Sequence, residues 1–310
     1  MVTGQADVAL RFEWGPVGAA AVASGASVVA VVDVLSFTTT VSVAVERGIA
    51  VMPYPWRDSS AAAVARRHDA VLAVGRSRAG PGEVSLSPVS VRRAEGVERL
   101  VLPSPNGASI SAALAGSGAT VIGVSLRNAA AAAAWVRRRL VVRPGPVAVI
   151  AAGERWPDGS LRPAVEDLWG AGAFLDALLT GEEAGAESRA AAGDRVRPVA
   201  GAEGGAASGR EAQVAGDESR AAAGGEGRAV EGGWAAAARG GSSPEAGTAL
   251  CAYLGISGRV TTALRECESG LELIGSGFAA DVDVAAESGS PAVPVLFDGW
   301  FRDAHGHPGA

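Results

Sequence analysis

The stretch Ala26-Ser-Val-Val-Ala-Val-Val-Asp33-Val-Leu-Ser36-Phe-Thr-Thr-Thr40 decides the fold. Its unbroken apolar run, rich in valine, predicts a strand that is covered on both faces and ends at a carboxylate, Asp33. The apolar spacing after the three threonines, closed by Gly48, predicts a short helix. A strand, an acid, hydroxyl groups and a helix start in this order are typical of a ligand site at the carboxyl end of a strand in an α/β protein.

The helix start predicted after Asp33 indicates what kind of ligand this is. Backbone N–H groups at a helix N-terminus favour an anion, and the hydroxyl groups of Thr38 and Thr39 lie beside them in the sequence. A nearby acid that is not part of that anion cradle can hold a metal ion. Phosphate chemistry with a divalent cation is therefore the first function to test.

The rest of the chain repeats the strand-then-helix pattern. Further apolar strand patterns occupy residues 49–53, 70–74, 99–103, 119–124 and 146–152. This alternation predicts an α/β protein with three α/β/α layers and a mostly parallel sheet, and it also allows two similar subdomains. If all the strands run in parallel, their carboxyl ends lie at one edge, where Asp33, Arg76, Asn106, Asn128 and Glu154 can share a cleft.

The composition changes abruptly from residue 182 to residue 242, where Gly, Ala, Glu, Arg and Ser dominate and large apolar residues almost vanish. Such a segment buries too little apolar area to offset the entropy of ordering it. We therefore expect a disordered insertion at 182–242. Residues 1–181 then form the first part of an α/β phosphatase-like domain, and residues 243–310 complete it and end in a short flexible tail.

Charge and hydropathy exclude two classes of partner. The net charge is −6 and there is no basic run, so general binding of nucleic acid is not expected. No apolar segment approaches the roughly 18 residues of a membrane span, and the first residues lack a positively charged signal region. We expect a cytoplasmic protein that does not bind membranes.

Other candidate residues follow the later strands, and each also has a plain structural explanation. Asn106-Gly107 precedes a helix and suits either a turn or an anion site. Arg76 and Arg78 are either surface charges or guanidinium groups that hold a phosphate or sulfonate. The pair Glu166-Asp167 opens a helix, where acids favour the helix dipole as well as a metal.

Known phosphate-binding and hydrolase signatures are absent from the sequence. Position 35 is Leu, where the haloacid-dehalogenase phosphatases need a second Asp. The chain contains no GxxxxGK[ST] and no GxSxG motif.

The order and spacing of several short segments resemble the 2-phosphosulfolactate phosphatase (ComB-like) family. The segments are Val32-Asp33-Val34-Leu35 with Thr38-Thr39, Ser87-Pro88, Asn106-Gly107, Asn128-Ala129, Ala152-Gly153, Glu166-Asp167, Ala171-Gly172 and Asp281 in a Gly-Phe-x-x-Asp context. The resemblance implies a three-layer α/β fold. It also implies magnesium-dependent removal of phosphate from 2-phosphosulfolactate, a step towards coenzyme M.

The chain departs from the family's pattern around the expected cleft. Ser36 stands where family members usually carry Arg, and the family's Gly-Glu-Arg appears as Gly75-Arg76-Ser77. Its Gly-Asn-Ser-Pro appears as Ser85-Leu86-Ser87-Pro88. These changes leave the substrate and the activity open.

We expect a phosphoric monoester hydrolase that uses Mg²⁺ and acts on a small acidic phosphoester, with 2-phosphosulfolactate as the first candidate. The alternatives are an anion-binding homologue without activity and a phosphatase for another metabolite. A homodimer is one option for assembly. The residues expected to bind the metal and carry out catalysis are Asp33, Glu166 and Asp167, and those expected to bind substrate are Thr38, Thr39, Arg76, Arg78, Asn106, Gly107 and Asn128.

Overall fold

The structure is a computed structural model that describes residues 5–55, 60–80, 82–181 and 241–306. Residues 182–240 of the expected insertion lie outside the described residues, so their disorder stays a prediction. The last two residues of that segment are described and lie beside the first strand. The carbonyl oxygen of Gly241 accepts hydrogen bonds from the N–H groups of Ala9 and Leu10.

A nine-stranded sheet forms the centre of the fold, with strand order β1-β7-β2-β6-β10-β11-β3-β5-β4. Its strands are β1 Leu10–Trp14, β2 Val28–Val32, β3 Ala50–Pro55, β4 Val71–Leu72, β5 Arg99–Ser104, β6 Thr120–Val124, β7 Val147–Ala151, β10 Pro294–Phe297 and β11 Trp300–Asp303. Two further short strands, β8 Glu154–Arg155 and β9 Leu161–Arg162, form a separate hairpin.

The hairpin of β10 and β11 divides the sheet into two parallel halves. The first half pairs β1 with β7, β7 with β2 and β2 with β6, and the second pairs β3 with β5 and β5 with β4. The three pairs that join the halves through the hairpin are antiparallel. The mostly parallel sheet is confirmed, but the expectation that all strand ends lie at one edge is wrong. Because the direction reverses three times, the second half runs opposite to the first.

Helices cover both faces of the sheet. The first face carries α1 Gly15–Val22, α2 Phe37–Glu46, α4 Pro88–Arg93 and α5 Gly107–Leu114, while α3 Ala61–Arg67 packs against β4 and β5. The second face carries α6 Ala129–Val142, α7 Val165–Thr180, α8 Pro244–Leu254, α9 Val260–Glu266, α10 Glu268–Gly275 and α11 Ala279–Ala286. None of the described helices combines the length and the apolar character that a bilayer span requires.

Strand β2 shows how the two apolar layers arise from the sequence. Val28, Ala30 and Val32 belong to one core cluster, whereas Val29 and Val31 belong to the other. All five side chains are fully buried. Burying a valine side chain contributes about 1.5–3 kcal/mol, so this strand needs apolar residues at every position. The expected strand covered on both faces and the three-layer fold are therefore confirmed.

Close packing of α7 brings its N-terminus against the end of β2. A Cβ atom added at Gly170 would lie 2.6 Å from Val34 Cγ2 and 2.8 Å from Val32 Cγ1. On the other side of α7, a Cβ atom at Gly172 would lie 2.1 Å from the carbonyl oxygen of Ala249. Glycine at these two positions lets α7 approach β2 and α8, which places its first-turn acids beside Asp33.

Candidate active site

The carboxylate of Asp33 joins the starts of two helices. Its Oδ1 accepts the N–H of Phe37 at 3.0 Å and its Oδ2 accepts the N–H of Gly107 at 2.8 Å. The acid therefore occupies the N-termini of α2 and α5, where the sequence suggested a bound anion with the acid outside the cradle. Burial raises the pKa of Asp33, while the hydrogen bonds from Phe37 and Gly107 oppose that shift.

Asp167 has a matching role at the next strand end. Its Oδ1 accepts the N–H of Val34 at 2.7 Å and its Oδ2 accepts the N–H of Gly153 at 2.9 Å. The first turn of α7 is therefore fixed to the residues that follow β2 and β7. Burial raises the pKa of Asp167 well above its usual range, and the charges of Asp33 and Glu166 add to this shift.

Glu166 is also buried but faces different partners. Its carboxylate lies close to the side chains of Ser269 and Cys267 near the start of α10, and these two groups oppose the rise of its pKa. Burial is the main cause of its raised pKa, and the charge of Asp33 contributes. The structure thus brings together Asp33, Glu166 and Asp167, the three acids that the sequence predicted as one group.

A fourth acid, Glu154, follows β7 and enters the same cluster. Asn106, which precedes α5, donates from Nδ2 to Glu154 Oε2 at 2.9 Å. Burial raises the pKa of Glu154 from 4.5 to about 7, helped by the charges of Asp33 and Glu166. The sequence placed Glu154 at the cleft but not among the catalytic residues. Its position directly after a buried strand is the signal that could have added it.

Arg76 is one of the cations that face these acids, together with Arg162, whose charge acts on Glu154. Its Nε donates to Asp281 Oδ2 at 3.1 Å and its Nη2 to the carbonyl oxygen of Leu86 at 3.2 Å. Burial lowers the pKa of Arg76, and the negative charges of Asp281, Asp33 and Glu154 oppose that shift. The side chain of Arg78, two residues later, is exposed. Arg76 therefore lies beside the buried acids, whereas Arg78 lies at the surface. The sequence left open which of the two faces the cleft.

Thr38 and Thr39 lie within the turn and are fully buried. The Oγ1 of Thr38 donates to the carbonyl oxygen of Asp33, and the Oγ1 of Thr39 donates to that of Val34, both at 2.8 Å. These hydroxyl groups thus brace the passage from β2 into α2. Their expected role in binding substrate stays a prediction.

Asn128, another expected substrate-binding residue with a buried side chain, is likewise used within the fold. Its Oδ1 accepts the N–H of Ser125 at 2.8 Å, and its Nδ2 donates to the carbonyl oxygens of Gly123 and Ala292, each at 3.1 Å. The side chain therefore fastens the end of β6 to the residue before Val293. These hydrogen bonds account for an amide at position 128, and the expected role of Asn128 in binding substrate stays a prediction.

Ser36 has a buried hydroxyl group without a partner. Its side chain is 2% exposed, and its Oγ has no hydrogen-bond partner within the part of the chain that the structure describes. Leaving a buried hydroxyl unpaired costs about 1–3 kcal/mol. Ser36 lies in the turn between Asp33 and Phe37, so this unsatisfied hydroxyl group is part of the segment that holds Asp33.

The donor chemistry of the cluster fits a magnesium ion that is completed by substrate and water. Within the described ranges, no three or more His, Cys, Asp or Glu residues are placed to hold one metal ion by themselves. Mg²⁺ in phosphate-processing sites usually takes only one or two carboxylates and fills its shell with phosphate oxygens and water. The buried carboxyl groups of Asp33, Glu154, Glu166 and Asp167 supply hard oxygen donors whose mutual repulsion a cation would relieve.

Acids and an arginine gathered at strand ends of a three-layer α/β sheet are typical of an enzyme that binds a small anionic substrate. A sequence model described as 2-phosphosulpholactate phosphatase matches residues 19–198, which is more than half of the chain. The protein therefore belongs to the 2-phosphosulpholactate phosphatase family, and its class is that of the phosphoric monoester hydrolases. A search of curated proteins found no match to the chain.

Proposed function

We propose that the protein is a magnesium-dependent phosphatase that converts 2-phosphosulfolactate to sulfolactate and phosphate, a step towards coenzyme M. The observation that carries this proposal is the placement of Arg76 among buried acids that include Asp33 and Glu154. Arg76 is itself paired with Asp281, and Arg162, whose charge also acts on Glu154, is paired with Glu268 and Glu272. Neither arginine is therefore free to neutralise this cluster. A phosphomonoester would be repelled unless a further cation accompanied it, so the charge balance supports a divalent metal.

The sequence predicted Asp33, Glu166 and Asp167 as metal ligands, but no three acids of the described residues are placed to hold one ion. We therefore propose that one or two of these carboxylates bind the metal and that phosphate oxygens and water complete its coordination. When bound there, Mg²⁺ would neutralise charge on the phosphoryl oxygens and lower the pKa of a bound water. The N–H groups of Phe37 and Gly107 hold the carboxylate of Asp33 in place and leave each of its oxygens a second lone pair. The acid is therefore fixed in position before any ligand arrives.

The other residues of the cluster have roles in binding and in proton transfer. Arg76 binds the phosphoryl oxygens through its remaining guanidinium donors. Asn106 orients Glu154 through the hydrogen bond between Nδ2 and Oε2. A carboxyl group whose pKa lies near 7 exchanges a proton readily at neutral pH, which suits Glu154 to act as the general acid or base.

A second candidate function is anion binding without catalysis. It is favoured by the backbone hydrogen bonds to both oxygens of Asp33 and to both oxygens of Asp167, because such bonds are also those of purely structural helix caps. In that case the fold and Arg76 would hold a phosphate group that is never cleaved.

Release of inorganic phosphate separates the two functions. Chelator-treated protein is assayed on 2-phosphosulfolactate and on a panel of other small phosphomonoesters, before and after Mg²⁺ is returned. We expect turnover of 2-phosphosulfolactate only with the metal. Faster turnover of another ester would identify that ester as the preferred substrate. Binding of phosphate without release from any ester would support the non-catalytic function.

A further inference from the structure

Asp281 is a buried carboxylate that reaches the site from α11, 205 residues after Arg76. Its Oδ2 accepts the Nε–H of Arg76 at 3.1 Å, and its Oδ1 accepts the hydroxyl of Ser87 at 2.5 Å. The Asp281 side chain is 2% exposed, so solvent does not weaken either contact. Both oxygens are thus engaged, and the carboxylate has one orientation.

Three contacts together fix the plane of the Arg76 guanidinium group. Besides Asp281, the carbonyl oxygen of Leu86 accepts from Nη2, and the Phe278 ring lies with its centroid 5.9 Å from Cζ. Only two of the five guanidinium N–H groups are used in this way. Within the described residues, Nη1 donates no hydrogen bond, which leaves it available to a ligand.

The contact between Arg76 and Asp281 joins the part of the chain that the family's sequence model matches to a part that lies beyond that match. The match to the family's sequence model ends at residue 198, so it covers Arg76 but not Asp281. The charges of Asp33 and Glu154 act on the same guanidinium group. Arg76 therefore stands between the acids of the proposed phosphoryl site and an acid supplied by a later part of the chain.

We propose that Asp281 is a positioning residue that orients Arg76 so that its free N–H donors bind the phosphoryl oxygens of the substrate. This inference rests on the proposed function of the site. The alternative is that Asp281 only neutralises a buried arginine and stabilises the fold. A positioning role and a purely stabilising role predict different affinities for an anion. Only a positioning residue affects how tightly the folded protein binds an anion.

The test uses Asp281→Asn with a matched control on the same helix. Asp283 is also on α11 but is exposed and pairs with Arg265 at 2.5 Å, so Asp283→Asn removes a charge and an ion pair away from the site. Binding of inorganic phosphate is measured by calorimetry in the presence of Mg²⁺. We expect the dissociation constant to rise about tenfold in Asp281→Asn, as for the loss of one charge-assisted contact, and to stay unchanged in Asp283→Asn.

A double-variant cycle shows whether Asp281 acts through Arg76. Arg76→Lys keeps the charge but loses the planar fork, so it should weaken phosphate binding by itself, whereas Arg66→Lys, at an exposed arginine of α3, should not. If Asp281 acts only by orienting Arg76, adding Asp281→Asn to Arg76→Lys produces little further loss. Fully additive losses would overturn the inference, as would unchanged phosphate binding in a folded Asp281→Asn protein with a lowered melting temperature.

Two further measurements cover the remaining outcomes. If Asp281→Asn does not fold, Ser87→Ala removes the second contact of the same carboxylate, and an unchanged phosphate affinity in that variant would refute the positioning role. Steady-state kinetics on the active substrate should show a raised KM with a smaller change in kcat. Phosphate binding that depends on Asp281 in a protein that cleaves no ester would refute the proposed function and leave this inference standing, whereas a parent protein that binds no phosphate would refute the inference.

Discussion

Gly107 donates its backbone N–H to Asp33 Oδ2 at 2.8 Å, and the first residue of α5 thereby meets the residue after β2. A Cβ atom at position 107 would lie 2.6 Å from that same oxygen and 2.6 Å from Phe37 Cδ1. Gly107 follows β5, and the strands β2 and β5 belong to opposite halves of the sheet. The contact is therefore one of the places where the halves of the molecule are joined at the site.

Gly107→Ala should both destabilise the protein and abolish turnover. Overpacking of a tight contact costs about 1–3 kcal/mol, and Asp33 cannot retreat without losing its hydrogen bonds to the two helices. Denaturant unfolding and phosphate release measure the two effects. Gly116→Ala is the control, because an added Cβ atom meets nothing within 4 Å there. Equal stability and activity in the two variants would mean that the close approach of Gly107 is unimportant.

Asp33→Asn should remove magnesium-dependent turnover while the protein stays folded. An amide has only one oxygen, so one of the two backbone N–H groups loses its acceptor, and the charge that attracts the cation is lost. We expect a normal circular dichroism spectrum and a decrease of about 1–3 kcal/mol in the free energy of unfolding.

The control for Asp33→Asn is Asp69→Asn, an exposed aspartate with a positive φ of 49°, a conformation that Asn also adopts. Asp69→Asn should behave like the parent protein. Turnover that persists at limiting Mg²⁺ in Asp33→Asn would remove Asp33 from the proposed metal site.

Glu154 makes the stability of the fold depend on pH in a defined direction. Burial raises its pKa from 4.5 to about 7, so the folded state keeps a proton that the unfolded state releases as the pH rises through 4.5. The contribution is most favourable below pH 4.5 and is lost as the pH rises to 7. The loss amounts to roughly 3 kcal/mol.

The variant Glu154→Gln isolates this effect, because the amide does not titrate. Between pH 5 and pH 8, the parent should lose roughly 2.5 kcal/mol more unfolding free energy than Glu154→Gln in denaturant titrations, because part of the loss already occurs below pH 5. The exposed Glu98→Gln serves as the control and should follow the parent. Parallel curves for the parent and Glu154→Gln would show that Glu154 ionises in the folded protein as it does in the unfolded chain.

Thr39→Val should affect stability without affecting substrate binding. The change keeps the shape of the side chain but removes the hydrogen bond from Oγ1 to the carbonyl oxygen of Val34. We expect unfolding to become easier by about 1–2 kcal/mol and KM to stay the same. A large rise in KM at unchanged stability would instead support the substrate-binding role that the sequence suggested for Thr39.

The parts of this protein that could be predicted from its sequence are those that local pattern decides. The valine run of β2 requires apolar cover on both faces, and the carboxylate at its end is placed by the strand itself. Asn106 and Asp167 follow in the same way from the ends of a strand and the start of a helix. The neighbourhood of Asp33 was therefore predicted in outline.

Other features depend on contacts that no local pattern contains. The sequence does not reveal that the hydroxyl groups of Thr38 and Thr39 donate to the carbonyl oxygens of Asp33 and Val34, because the geometry of the turn brings them together. The raised pKa of Glu154 depends on how deeply the finished fold buries it. The contact between Arg76 and Asp281 joins residues 205 positions apart, which spacing along the chain cannot reveal.

The hairpin of β10 and β11 also affects how the sheet is assembled during synthesis of the chain. It touches the first half of the sheet through one ladder pair, Val295 with Ile122, and the second half through one more, Phe301 with Val51. During synthesis the ribosome completes both halves before it adds the two strands that lie between them. Until then β6 and β3 are open edges, which readily pair with other chains. A product truncated before residue 294 would therefore aggregate through the exposed edges of β6 and β3, which lie inside the sheet of the complete protein.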